Sequence, residues 1–535
     1  MFRRRNKPAV QETIAETTNH EGRLIRKADP LAVLPHLFHE LGIQSNLLVS
    51  ATYIHPTIHL MPSLVYHSLA SVISQHPALS IIGVTRPSTK TPGHHRIWDA
   101  HLPIIQLKDC VEFLDLDFDG DGQLAQTLEE THNFWFSTSD KTKPLWKILV
   151  LNGKTVVWVC HHGIADGLSG YAFHRSFLEA LNSPHVVAKE DDIESVITPR
   201  IDAAALPSPL EDFEENLSWL HVIKTFLFWV LLRFFVPSQY FLFSDAVVSP
   251  RFPTVSNPFP ASEKTITKVA ILRIDSEVMQ KCLEACRLHQ TSFTALLHTL
   301  IQITLAVDEY PNARLGFSRL AVSVRNLLKN DRRIGKDVIT DAVSVYYGFH
   351  FLSSYRDAGT LPMIHKSKIP LQKGKAWKLA KKYKDDLNAA MYTKKSVAQE
   401  FLSAKLLGED NEDFGKFFGL GLYQNNSFLI SNLGVFEPKG NSGGSEDGGN
   451  SGESANRAKS AESGIGGGGW KVSDVAFSAG AIRANLGDFG IVFNVASVKG
   501  GDCVVCACWE EGVLKEEMVK RVLRSVGAKI KLMVR

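Results

Sequence analysis

One segment constrains the fold of this chain more than any other: "LWKILVLNGKTVVWVCHHGIADGLSGYAFHRSFLEALN", residues 145–182. Two β-rich runs, 145–151 and 154–160, flank Asn152-Gly153. Both residues of that pair tolerate positive φ, and between two such runs they are the strongest short-range hairpin signal. The second run ends in two adjacent histidines. The chain then turns helical, with Phe173, Phe177, Ala180 and Leu181 on one face.

Successive side chains of a strand point to opposite faces, so His161 and His162 cannot both enter one cavity. One packs inward and the other is presented. Imidazole is the usual general base near neutral pH and suits removal of a proton from a hydroxyl or an amine. A carboxylate at Asp166 would hold the following loop by hydrogen bonds or an ion pair, and Gly167 permits a tight bend. Taken alone, a His-His pair is structural more often than catalytic. The strand before it and the helix after it weigh toward function. "HHRIWDA", residues 94–100, repeats the spacing, but it follows "KTPG", has Ala100 where the glycine stands, and reads as a loop and a coincidence.

At 535 residues the chain exceeds one ordinary domain, and two core-forming halves are expected. Hydrophobic residues make up 44% and charged residues 21%, a globular composition. A net charge of +3 and the lack of a dense basic stripe argue against a nucleic-acid partner. Residues 1–23 read as a flexible tail without the apolar stretch that a secretory signal needs. The 7 cysteines are odd in number and scattered, which fits a reducing compartment, so an intracellular, cytoplasmic location is expected.

Residues 24–184 form the first half and 185–260 a linker. The linker carries the most hydrophobic stretch, 217–243, whose uninterrupted core Thr225–Leu232 is too short to cross a bilayer. Two readings stand side by side. The helix is buried against the second half, or it lies on a membrane with its aromatics in the acyl boundary. The latter would place the protein peripherally on endoplasmic reticulum or lipid droplets. The second half, 261–535, opens with a strand over 264–274 and two helices with Ser276 and Thr291 as N-cap candidates. It carries a Gly/Ser-rich insert, 437–469, expected to be disordered. Two α/β halves, each with a strand-rich sheet, result.

Two motifs suggest metals and are set aside. Cys503, Cys506 and Cys508 in "CVVCACW" have no second cysteine pair, and the run reads as a buried strand. "DFDGDGQLAQTLEE", residues 117–130, begins like a calcium loop with Asp117, Asp119, Asp121 and Gly122. The position of the bidentate glutamate holds Leu128, with Glu129 one residue late, so it reads as a solvated acidic turn. No metal is expected.

In its strand–turn–helix context, "HHGIADG" is similar to the His-His-x-x-x-Asp-Gly signature of the chloramphenicol acetyltransferase-like superfamily. "PLWKILVL", "TSFTALLHTLI" and "SNLGVF" resemble the fungal alcohol acetyltransferases within it, and they occur in that family's order. The resemblance implies an α/β (α+β) fold of two chloramphenicol acetyltransferase-like subdomains. Each would be a mixed β-sheet with flanking helices, and an active-site channel would run along their interface. It implies an acetyl-CoA:alcohol O-acetyltransferase of secondary metabolism, with acetyl-CoA as co-substrate and no bound cofactor. By the resemblance His162 is the general base and Asp166 a residue that faces away from substrate. His161 and Gly167 complete the motif. Arg325 is the arginine that pairs with Asp166, although Ser323 stands where the family often has Asp. Ser431 and Asn432 would lie near the channel as oxyanion donors. A monomer is expected. N-acetylation of a lipid-like amine or toxin, a condensation-type domain and an inactive binding relative are the alternatives.

Overall fold

The computed structural model describes residues 23–116, 120–183, 195–199, 206–213, 215–247, 251–328, 334–360, 371–413, 427–438, 469–483 and 489–535. Asn152 and Gly153 adopt φ of 51° and 60°, and the Lys154 N–H donates to the Leu151 carbonyl at 3.0 Å. This is the two-residue turn whose twist matches that of the flanking strands. The Asn152 side chain adds a second clamp, bonding both the N–H and the carbonyl of Leu116. Trp146–Leu151 and Thr155–Cys160 therefore pair antiparallel in one register.

These strands belong to a five-stranded sheet in the order Lys471–Ala479, Leu47–Ile54, Thr155–Cys160, Trp146–Leu151, Val111–Leu114. A second, six-stranded sheet is ordered Thr267–Ile274, Cys503–Glu510, Ile491–Val498, Ser427–Phe436, Leu315–Ser323, Val343–Phe351. Both sheets mix parallel and antiparallel pairs. Strand Lys471–Ala479 comes from the second half of the chain but pairs with Leu47–Ile54 along its length. The two sheets are thus joined by a strand as well as by side-chain packing.

Helix Gly167–Leu181 lies against the first sheet, with Phe173 stacked on Trp158 at 5.1 Å between centroids. The approach is so close at Gly170 that a Cβ there would fall 2.2 Å from Val49 Cγ2. In the second sheet, alternation along Cys503–Glu510 sends Cys503 into one core and Cys506 and Cys508 into the other. All three thiols are buried, as the strand reading expects. Among the described residues, no group of three His, Cys, Asp or Glu is placed to hold a metal ion.

Several expectations need correction. "HHRIWDA" is not in a loop: His95–His101 is a strand of a three-stranded sheet, and its Asp99 pairs with Arg26. The N-caps are Asp275 and Ser292, each one residue before the predicted Ser276 and Thr291. The Ser292 hydroxyl accepts from Ala295 N–H. Asp117 and Asp119 lie outside the described residues, while Asp121 opens a helix and is paired with Arg273. Most of the tail 1–23 and of the Gly/Ser insert 437–469 also lies outside them. Within 217–243 the helix runs Trp219–Phe235, and none of its residues is buried, so it does not form part of a core. Among the described residues, no helix is long and apolar enough to cross a membrane.

Candidate active site

The strand Thr155–Cys160 ends one residue before the histidines, and the helix from Gly167 starts five residues after His161. His161 and His162 part company in this short connection. His161 is fully buried, its Nδ1 accepts the Gly163 N–H at 2.9 Å, and its ring lies against those of His36 and His39. Burial, reinforced by its three neighbouring imidazoles, drives its pKa well below the ordinary value and keeps it neutral. The His162 side chain instead remains 28% exposed, with Nδ1 3.4 Å from Asp341 Oδ2. Burial pulls the His162 pKa down, but the adjacent Asp341 carboxylate more than offsets it, and the net shift is upward.

Asp166 supplies the N-cap of the helix. Its carboxylate accepts from Ser169 N–H at 2.9 Å and from the Ser169 hydroxyl, closing a capping box. The same carboxylate takes two parallel hydrogen bonds from Arg325, at 2.6 and 3.0 Å, and one from Ala342 N–H at 3.1 Å. Asp166 is fully buried and points away from His162's open side. Burial alone would raise its pKa; the Arg325 guanidinium and these N–H donors hold it below the usual carboxylate range instead. Arg325 sits in a single helical turn just past strand Leu315–Ser323. It also donates to the Thr340 carbonyl, which the Ser169 hydroxyl reaches from the other side.

Gly167 does not serve a bend, because its φ is not positive. Its hydrogen leaves room for Leu433 and Phe477: a Cβ would lie 2.7 Å from Leu433 Cδ2 and 2.8 Å from Phe477 Cζ. Ser431 is half-buried on strand Ser427–Phe436. Asn432 donates to the Thr294 hydroxyl at 2.8 Å and accepts from Gly434 N–H, so its carboxamide shapes the local bulge.

Sequence reasoning overlooked Asp341. A signal was available in the strand register: Ser323 pairs with Val343, and Val324 N–H donates to the Ala342 carbonyl. Extending that antiparallel pairing sets Asp341 opposite Arg325. Beside this step lies a cleft of about 490 Å³. It is walled by Gly163 and Ile164 of the motif loop on one side and by Ile339, Thr340 and Asp341 on the other.

A sequence profile of the alcohol acetyltransferase family matches residues 103–442, more than half of the chain. The chain is 25% identical over 519 residues to crmB of Aspergillus fumigatus, named a probable alcohol acetyltransferase; the match covers 91% of this chain and 95% of that one. Among solved structures, the trichothecene 15-O-acetyltransferase TRI3 of Fusarium sporotrichioides superposes with a TM-score of 0.59 at 12% identity, covering 95% of each chain. The first condensation domain of the calcium-dependent antibiotic synthetase superposes with a TM-score of 0.57 at 11% identity, over 96% of this chain and 97% of that one. This chain therefore belongs to the alcohol acetyltransferase family, and it is an O-acyltransferase with the chloramphenicol acetyltransferase-like fold of two subdomains.

Proposed function

We propose that the protein transfers an acetyl group from acetyl-CoA to the hydroxyl of a small alcohol, with His162 as general base. The observation that carries this reading is the half-open imidazole of His162, backed at Nδ1 by a carboxylate and set at the junction of the two halves of the chain. With the Nδ1 proton facing Asp341, the Nε2 lone pair is free to accept the hydroxyl proton. The alcohol oxygen then bonds to the thioester carbonyl carbon. Collapse of the tetrahedral oxyanion breaks the C–S bond, and the proton on Nε2 passes to the departing thiolate. Ester and free CoA thiol are the products, and no acyl-enzyme is needed. Ser431 is the hydroxyl donor this reading assigns to the oxyanion. Asn432, committed to Thr294 and Gly434, is not assigned that role.

The test is release of free thiol from acetyl-CoA in the presence of a panel of alcohols and amines. Acceptor-dependent release with alcohols is expected. Release with amines alone would replace the O-transfer reading by N-transfer, and no release with any acceptor would remove both.

In this reading Asp341 is a positioning residue. The backbone on both sides of it is bolted to the motif: Thr340 to Ser169 and Arg325, and Ala342 to Asp166. The carboxylate is thereby held against His162 Nδ1. The raised His162 pKa places the acid limb of kcat/KM above the ordinary imidazole value of about 6.5, since the protonated ring cannot accept a proton. Asp341→Asn removes the charge that opposes burial. Its acid limb is expected to move to lower pH while kcat falls about 10–100-fold. An unmoved acid limb would show that Asp341 does not act through the ring.

A further inference from the structure

The helix Trp219–Phe235 spans 17 residues, about 25 Å at 1.5 Å per residue. Its inner side rests on the six-stranded sheet. Trp229 stacks on Phe317 at 5.7 Å between centroids, and Phe228 meets Phe349 edge-on at 6.0 Å. Its outer side is apolar and uncovered: Trp219 is 66% exposed, Phe234 71% and Phe235 74%, with Leu220, Ile223, Leu227 and Leu231 exposed between them. The apolar surface continues onto the edge strand Val343–Phe351 through Phe349 and Phe351. Monomeric proteins seldom leave a continuous apolar face of this kind open to water.

The charges on this face have one sign. No Asp or Glu occurs between Asn216 and Ser244, and the exposed Lys224 and Arg233 are the formal charges in that span. The nearest carboxylates are already engaged, Glu400 with His221 and Glu215 with Lys395. A two-fold contact between copies of this chain would set this patch against itself, cation against cation, without a carboxylate to pair them. A bilayer with anionic headgroups supplies both an apolar layer for the aromatics and negative charge for the two cations.

We propose that this face docks on membranes carrying anionic lipid, the helix lying in the interface rather than crossing it. The inference is independent of the acyl-transfer chemistry, because it is read on vesicles without substrate.

The experiment is flotation of the full chain with vesicles of phosphatidylcholine alone or mixed with phosphatidylserine. The protein is expected to float preferentially with the mixed vesicles. A Leu231→Ser/Phe234→Ser/Phe235→Ser variant, altered only at exposed positions, should bind about tenfold less while retaining thiol-release activity on a water-soluble alcohol. Lys224→Glu/Arg233→Glu should abolish the preference for phosphatidylserine. Three results would each overturn the proposal: no flotation of wild type with either vesicle, equal binding to both vesicles, or wild-type binding by the triple variant. Sedimentation that shows a dimer converted to monomer by the triple variant, without vesicle binding, would assign the face to a second copy instead.

Discussion

His162→Ala is expected to lower kcat for acceptor-dependent thiol release by about 10²–10⁴-fold, while the folded protein and its denaturation midpoint stay close to wild type. The rate loss follows from removing a positioned base: at about 1.4 kcal/mol per tenfold, it corresponds to about 3–5 kcal/mol of transition-state stabilisation. The small effect on stability follows from where the ring sits. His162 is partly open to solvent, and its polar contact is a single 3.4 Å approach to Asp341, so truncation leaves no large cavity. His161→Ala makes the contrast. Its ring is fully buried among His36, His39 and Phe136, so its loss should lower stability as well as activity. If His162→Ala kept kcat within about threefold of wild type, proton removal by this imidazole would not be part of the reaction.

The contrast between the two histidines was legible in the sequence because it rests on local geometry. A strand alternates its side chains, a turn of two positive-φ residues sets the register of the hairpin, and Asp before a helical run is a good N-cap. What the sequence did not reveal depends on segments far apart in the chain. Gly167 looked like a bend; the need for glycine there comes from Leu433 and Phe477, more than 260 residues away. The pairing of Lys471–Ala479 with Leu47–Ile54 has no local signature at all. Asp341 could have been found only after Arg325 had been chosen and strand Val343–Phe351 placed beside Leu315–Ser323. The hydrophobicity of 217–243 was plain, but composition cannot say whether an apolar helix faces a core or solvent. Here one side meets Phe317 and Phe349 and the other meets nothing in the described chain.

The second large effect is expected at Arg325, which touches no proposed substrate atom. Arg325→Met should lower unfolding free energy by about 3–5 kcal/mol, read as a shift in denaturant midpoint, because it strands a buried carboxylate that has lost its two strongest donors. Asp166→Asn/Arg325→Met should cost less than the sum of the single changes, since no unpaired charge is left behind. The sign of the pH dependence is fixed by Asp166. Its folded-state pKa lies below the ordinary carboxylate value, so the ion pair contributes fully above about pH 4 and its contribution is lost as pH falls through the folded value. The gap between wild type and Arg325→Met should therefore be constant near neutrality and narrow in acid; a gap that widened in acid would mean that packing, not charge, carries the effect. Activity should fall with stability, and more steeply than the unfolded fraction accounts for. Arg325, Asp166 and Ser169 together pin Thr340 and Ala342, and the residue between those two carries the carboxylate that faces His162. Loosening the pin lets Asp341 drift from the ring, so the surviving folded Arg325→Met enzyme should show the lowered acid limb of Asp341→Asn. That shared shift would tie the buried ion pair to the basicity of the imidazole.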